Sequence, residues 1–164
     1  MITLRLTKDL LKDMKAIPKE DINMSLLLSW HVNIYNLNKR KHIVVVNDLT
    51  RLAVIIDGIR TGQLERLKEK FLVTLREYLL LEGVKESQIN TYLEFGENII
   101  ISKTSSRSVL GTMKEVTFFT EDDFQDNHER LKWLNRMIYK PIDYKEPIEL
   151  FKEAIKNPKN NNTE

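Results

Sequence analysis

The chain has no cysteine, only five glycines and four prolines among 164 residues, and charges that nearly cancel, with 26 Lys and Arg against 24 Asp and Glu. Without cysteine there is no disulfide, no thiol nucleophile, no zinc finger and no iron–sulfur site. That absence fits a reducing compartment without defining one. Scarce glycine and proline leave few interruptions, so most of the chain should be regular structure. A net charge of +2 lacks the clear basic excess of a protein that tracks phosphates along its surface. Long apolar runs are missing as well. Stretches such as residues 43–46 and 54–56 fall far short of the roughly 18–20 residues needed to cross a bilayer. The opening MITLRLTKDLLKDMKAIPKE carries a charge every few positions and has no apolar core of signal-peptide length. The expectation is a cytoplasmic protein with no membrane contact.

What is present suits one globular domain. With 41% apolar residues there is enough material for a core, and 30% charge of both signs argues against wholesale disorder. We expect a single domain over residues 1–156, followed by a disordered polar tail over 157–164, NPKNNNTE. Residues 1–60 hold 10 basic and 6 acidic side chains, net +4, whereas residues 121–164 hold 8 and 10. So mild an asymmetry can orient a partner but is ordinary among globular proteins.

Ile2, Leu4 and Leu6 alternate with polar residues and predict a short half-buried strand, after which Thr7 can cap a helix to about Lys15. Residues 25–38 are ambiguous. Leu27, Trp30, Ile34 and Leu37 fit a helical seam, while Leu28, Trp30, Val32 and Ile34 fit strand alternation. Composition favours a strand, because Trp, Val, Ile and Tyr suit sheets and the interleaved Ser and Asn weaken helices. Residues 39–41 then read as a hairpin loop, 42–47 as a second strand and 52–57 as a third, an antiparallel meander. Leu64, Leu67, Phe71, Leu75, Tyr78 and Leu79 predict a long helix with Gly83 at its end. A short helix near Ile89 closes at Gly96, and residues 98–103 form another strand. Leu131, Leu134, Met137 and Ile138 predict one helical face, and Pro147 opens a last helix with Ile148, Phe151 and Ile155 inward. The expected fold class is α+β: a mainly antiparallel sheet with a central meander, packed by several helices.

Two motifs can carry chemistry. If residues 29–35 form a strand, Ser29, His31, Asn33 and Tyr35 share one face, with donors, acceptors and a group that titrates near neutral pH. That face suits ligand binding or acid–base work with His31 as the candidate catalytic residue. It equally suits the solvated side of an antiparallel sheet, the commoner role. The second motif is Lys103-Thr104-Ser105-Ser106-Arg107-Ser108, a hydroxyl-rich basic turn that leaves a strand and enters an apolar segment. Such a turn can cradle an anion at a helix start, with Arg107 clamping it. It also reads as a serine N-cap beside a surface arginine, again the commoner role. No G-x-x-x-x-G-K-[ST], G-x-G-x-x-G or G-x-S-x-G occurs. Lys39, Arg40 and Lys41 between asparagines could touch phosphates or be an ordinary charged hairpin tip. His31, His42 and His128 lack metal-ligand spacing, and Asp122, Asp123 and Asp126 suit the first turn of a helix better than a calcium loop. No metal and no cofactor is expected.

On these motifs the sequence resembles an uncharacterised bacterial domain of unknown function. Its N-terminal strand is matched by MITLRLTKDLL, and its W-[HY]-x-N element by Trp30, His31 and Asn33. A V-N-[DE]-x-T strand end is matched by Val46, Asn47, Asp48 and Thr50. The K-T-x-S-R-S-V-L-G-[ST]-M motif is matched by residues 103–113, so the resemblance covers roughly residues 1–120. The pattern admits tyrosine at the position of His31. The resemblance implies no activity; it places both motifs in one pattern.

Three readings follow from the residues. The first is a non-catalytic binding module with a polar pocket for an anionic ligand (a nucleotide, another phosphate or a nucleic acid) formed by His31, Asn33, Lys103, Ser106, Arg107 and Ser108. The second is a phosphodiester hydrolase or nuclease with His31 as general base and Arg107 stabilising charge. The third is a structural domain that meets a protein partner.

Overall fold

A computed structural model of the chain describes residues 1–20, 25–37, 39–119 and 126–158. Five strands form one sheet: β1 (Ile2–Leu6), β2 (Ser29–Leu37), β3 (Arg40–Asn47), β4 (Ala53–Asp57) and β5 (Ile99–Lys103), in the order β4-β3-β2-β1-β5. The ambiguous stretch after residue 25 is a strand, and the meander β2-β3-β4 is antiparallel. The sheet as a whole is mixed, which corrects the expectation of a mainly antiparallel one. β1 lies between β2 and β5 and runs parallel to both. Helical crossovers return the chain to the same end of the sheet, and side-chain alternation carries no information about which strand becomes the neighbour.

The helices are α1 (Lys8–Met14), α2 (Leu64–Leu81), α3 (Glu86–Glu94), α4 (Arg107–Phe119), α5 (Asn127–Leu134) and α6 (Pro147–Ile155). Thr7 caps α1 by accepting from Leu10 N–H, as its position suggested. At the end of α2, Gly83 takes φ +82° and Val84 N–H returns to Leu79 C=O, the six-to-one bond of a Schellman ending. α5 stops at Leu134, so Met137 and Ile138 do not extend it, and Ile138 is exposed. The reason lies at the sheet edge. Asn135 is fully buried because its side-chain amide pairs with both N–H and C=O of Ala53, at 2.6 and 2.9 Å, and so closes the outer side of β4. Asp126 caps α5 through His128 N–H, while Asp122 and Asp123 lie outside the described residues.

In-register pairing sorts the side chains onto two faces. Ile2, Leu4, Leu6, Trp30, Val32, Ile34, Ile43, Val45, Val54 and Ile56 share one face, on which Trp30 packs at 5.0 Å from Phe71 of α2 and 5.9 Å from Phe151 of α6. Trp30 Nε1–H donates to Tyr92 Oη of α3, and Tyr92 donates to Leu27 C=O. The opposite face is apolar at Val44, Val46 and Ile55, and polar at Arg5, His31, Asn33 and Tyr35. β1 is buried on both faces rather than half-buried, since even Thr3 and Arg5 are covered. The hairpin tip is tighter than expected: β3 already begins at Arg40, leaving Lys39 in the left-handed conformation that short hairpin turns demand. Of the expected tail, residues 159–164 lie outside the described residues, whereas Pro158 is placed and buried.

Candidate functional site

The two motifs meet. His31 is fully buried, with Nδ1 at 2.7 Å from Asp48 Oδ1. Nε2 accepts backbone N–H groups from Ser105 at 3.1 Å and Ser106 at 3.2 Å. Two donors at Nε2 require its lone pair, so the ring proton sits on Nδ1 and is given to Asp48. The second carboxylate oxygen of Asp48 holds Arg5 of β1. A neutral imidazole thus occupies the place at the start of α4 where an anion would otherwise sit.

Asp48 is held from below. Its N–H bonds Ser29 C=O, and the preceding Asn47 ties Leu27 C=O to the N–H groups of Leu49 and Thr50. Arg51, in left-handed conformation at φ 64°, gives Nη1 to Asp48 C=O and Nη2 to Ser108 Oγ at 2.9 Å. Burial lowers its pKa, and the nearby Asp48 opposes that shift. Ser106 Oγ accepts from Val109 N–H and caps α4. Both serine oxygens of the candidate set therefore already accept hydrogen bonds within the protein.

Asn33 is fixed with a defined orientation. Leu10 N–H donates to Thr7 Oγ1, so the Thr7 hydroxyl proton goes to Asn33 Oδ1 at 2.7 Å, where Ile34 N–H also arrives at 2.8 Å. Two donors on Oδ1 identify it as the carbonyl oxygen and turn the amide nitrogen away. Among the described residues that nitrogen has no acceptor. Asn33 lines a cavity of about 540 Å³ with Tyr35, Arg107, Leu110, Gly111, Met113, Lys114 and Thr117. Among the described residues its lining has two cations and no carboxylate, and neither Arg107 nor Lys114 has an ion-pair partner. Lys103 stands apart at the exposed end of β5 and is not in this lining.

The structure therefore brings Ser106 and Ser108 into one hydrogen-bonded network around the buried His31, and Asn33 and Arg107 into the adjoining groove. Sequence reasoning missed Arg5, Asp48 and Arg51 as partners of this site, because all three are far from His31 along the chain. It also missed Lys114, for which a signal existed: Arg107, Leu110, Gly111 and Lys114 follow the i, i+3, i+4, i+7 spacing of one helix face.

A second histidine cluster repeats the pattern on the same sheet face. His42 Nδ1 bonds Asp57 Oδ1, and Asp57 Oδ2 receives Arg130 Nη2 at 3.1 Å. The His42 ring stacks on Tyr35 with centroids 5.1 Å apart. Unlike His31, its Nε2 has no partner among the described residues. Among those residues no group of three or more His, Asp or Glu side chains could hold a metal ion. No described helix is long and apolar enough to cross a membrane.

Comparison with known families matches residues 3–150 to a domain of unknown function, DUF6933. The chain belongs to this family. The match runs from the first strand into the last helix and takes in both histidine clusters and the groove. A search of curated proteins gives no match.

Proposed function

We propose that this DUF6933 chain is a non-catalytic binding module whose groove between β2 and α4 takes an anionic ligand. The observation that carries the reading is the lining itself: Arg107 and Lys114 with no balancing carboxylate among the described residues, beside the outward amide nitrogen of Asn33. Cations without partners in a concave, partly apolar site attract an anion. His31 supports the non-catalytic part, because a general base needs a nitrogen within reach of substrate and both of its nitrogens are engaged inside the protein. His31 in this reading is a positioning residue that pins the start of α4. Titration with inorganic phosphate and with nucleoside mono- and triphosphates, followed by calorimetry, tests the proposal. Binding should weaken by about tenfold or more in Arg107→Ala, the loss of one charge-assisted contact. No anion bound by the intact protein, or affinity indifferent to Arg107→Ala, would overturn it.

One observation favours an enzyme instead. His42 is oriented by Asp57 and its Nε2 has no partner among the described residues, the arrangement of an acid–base histidine. In that alternative, a phosphodiester hydrolase, His42 takes the role expected of His31. It requires phosphodiester turnover that His42→Ala abolishes, and binding without turnover rejects it.

A further inference from the structure

The groove has a feature that a simple anion does not explain. Of the five glycines, Gly58, Gly62 and Gly83 adopt positive φ, and a Cβ on Gly96 would come within 2.9 Å of Leu72. Gly111 differs. It lies inside α4 with helical geometry, and a Cβ added there would meet nothing within 4 Å. Glycine inside a helix is less stable than alanine. Neither backbone conformation nor packing asks for it here, and it stands in the wall of the groove.

We infer that the groove is shaped for a nucleoside phosphate, its flat body lying against the bare helix backbone at Gly111 and its phosphate at Arg107. The inference rests on the anion-binding reading and names the class of anion. An inorganic ion has no body to use the room at Gly111 or the apolar walls of Leu110 and Met113. An aliphatic acid would leave the Asn33 amide nitrogen without an acceptor, a loss for any ligand that desolvates it. A nucleoside phosphate supplies each element: charge at one end, a planar ring to lie over the bare backbone at Gly111, and ring carbonyl or nitrogen acceptors at the other. Arg107 and Lys114 stand two turns apart on α4, about 10 Å along its axis, a separation that lets one meet the phosphate while the other meets base or ribose oxygens. The volume, about 540 Å³, is in the range of small-molecule sites. The net charge of +2 gives little support to a long strand with phosphates beyond both cations.

The four nucleoside monophosphates, ribose 5-phosphate and inorganic phosphate are titrated into the wild-type chain, Gly111→Ala, Gly111→Leu and Arg107→Ala, with Tm measured for each variant. At least one nucleoside monophosphate should bind about tenfold or more tightly than ribose 5-phosphate and inorganic phosphate. Gly111→Leu should abolish that preference, and Gly111→Ala should weaken it while Tm stays equal or rises, since alanine is the better helix former. Equal affinity for the nucleotide and inorganic phosphate overturns the inference. So does nucleotide binding that survives Gly111→Leu. In both cases Arg107-dependent phosphate binding leaves the broader anion proposal standing, whereas no binding of any of these probes overturns both.

Discussion

At the scale of single residues, the polar groups on the β2 face divide by how completely the protein satisfies them. His31 is closed on both nitrogens, and its removal would leave Asp48 with one engaged oxygen and two N–H groups at the head of α4 without an acceptor. Each buried polar group left unpaired costs about 1–3 kcal/mol, so His31→Ala should lower unfolding free energy by about 3 kcal/mol in urea denaturation. A loss under 1 kcal/mol would show that the network does not hold the turn. Glu82 offers a pH test away from the groove. Burial alone would raise its pKa, but hydrogen bonds from Arg136, at 2.8 Å to each oxygen, and from Tyr78 at 2.6 Å outweigh it and hold the carboxyl below its usual value. A carboxyl with a depressed folded pKa contributes stability that is present above its unfolded value, about 4.3, and is lost as pH falls through the lower folded value. Glu82→Gln should therefore be less stable than wild type at pH 7 and lose less on acidification to pH 3. Parallel stability–pH curves for the two proteins would reject this assignment.

At the scale of elements, strand edges and helix starts are finished by side chains more than by backbone. Asn135 imitates a sixth strand at Ala53, and Asn127 adds a bond to Ile55 C=O. Asn135→Ala should cost about 2 kcal/mol, because it uncovers one donor and one acceptor on β4 at a buried position, while Asn135→Asp restores only the acceptor. Chemical denaturation of both variants measures it, and amide exchange at Ala53 should quicken more in Asn135→Ala than in Asn135→Asp, whose carboxylate still accepts the Ala53 N–H. The α4 start shows how much of an element's role was legible early. A serine-rich turn feeding a helix, with a serine cap, was readable from residues 103–113; the structure puts that cap at Ser106. That its first N–H groups would meet His31 was not, because the contact joins positions 74 and 75 residues apart.

At the scale of the whole molecule, helices enclose a sheet whose faces differ in kind. One face is largely apolar, centred on Trp30 with the buried Asn47 across from it; the other combines an apolar patch on β3 and β4 with the polar network on β1 and β2. Because β1 pairs on both sides and both halves of the sheet depend on it, no part should melt separately. Tryptophan fluorescence, from Trp30 and Trp133, and far-ultraviolet circular dichroism are expected to report coincident unfolding transitions, and Trp30→Ala should lower stability by about 3–5 kcal/mol. Two resolved transitions would divide the chain into independent units.

Alternation, helical spacing and turn residues, with composition at the ambiguous stretch around Trp30, predicted the elements: that strand, the meander, the long helix ending at Gly83 and the final helix after Pro147. These follow from local periodicity and turn chemistry, which neighbouring residues fully specify. They also put His31 and Asn33 on one side of β2. Only tertiary structure decided that β1 lies parallel between β2 and β5, that the polar side of β2 is covered, and that His31 is engaged at both nitrogens. It likewise gathered Asn33, Arg107, Gly111 and Lys114 around one groove. The physical reason is the same in each case. Strand partners, burial and hydrogen-bond partners are set by residues distant along the chain, and periodicity carries no information about distant residues.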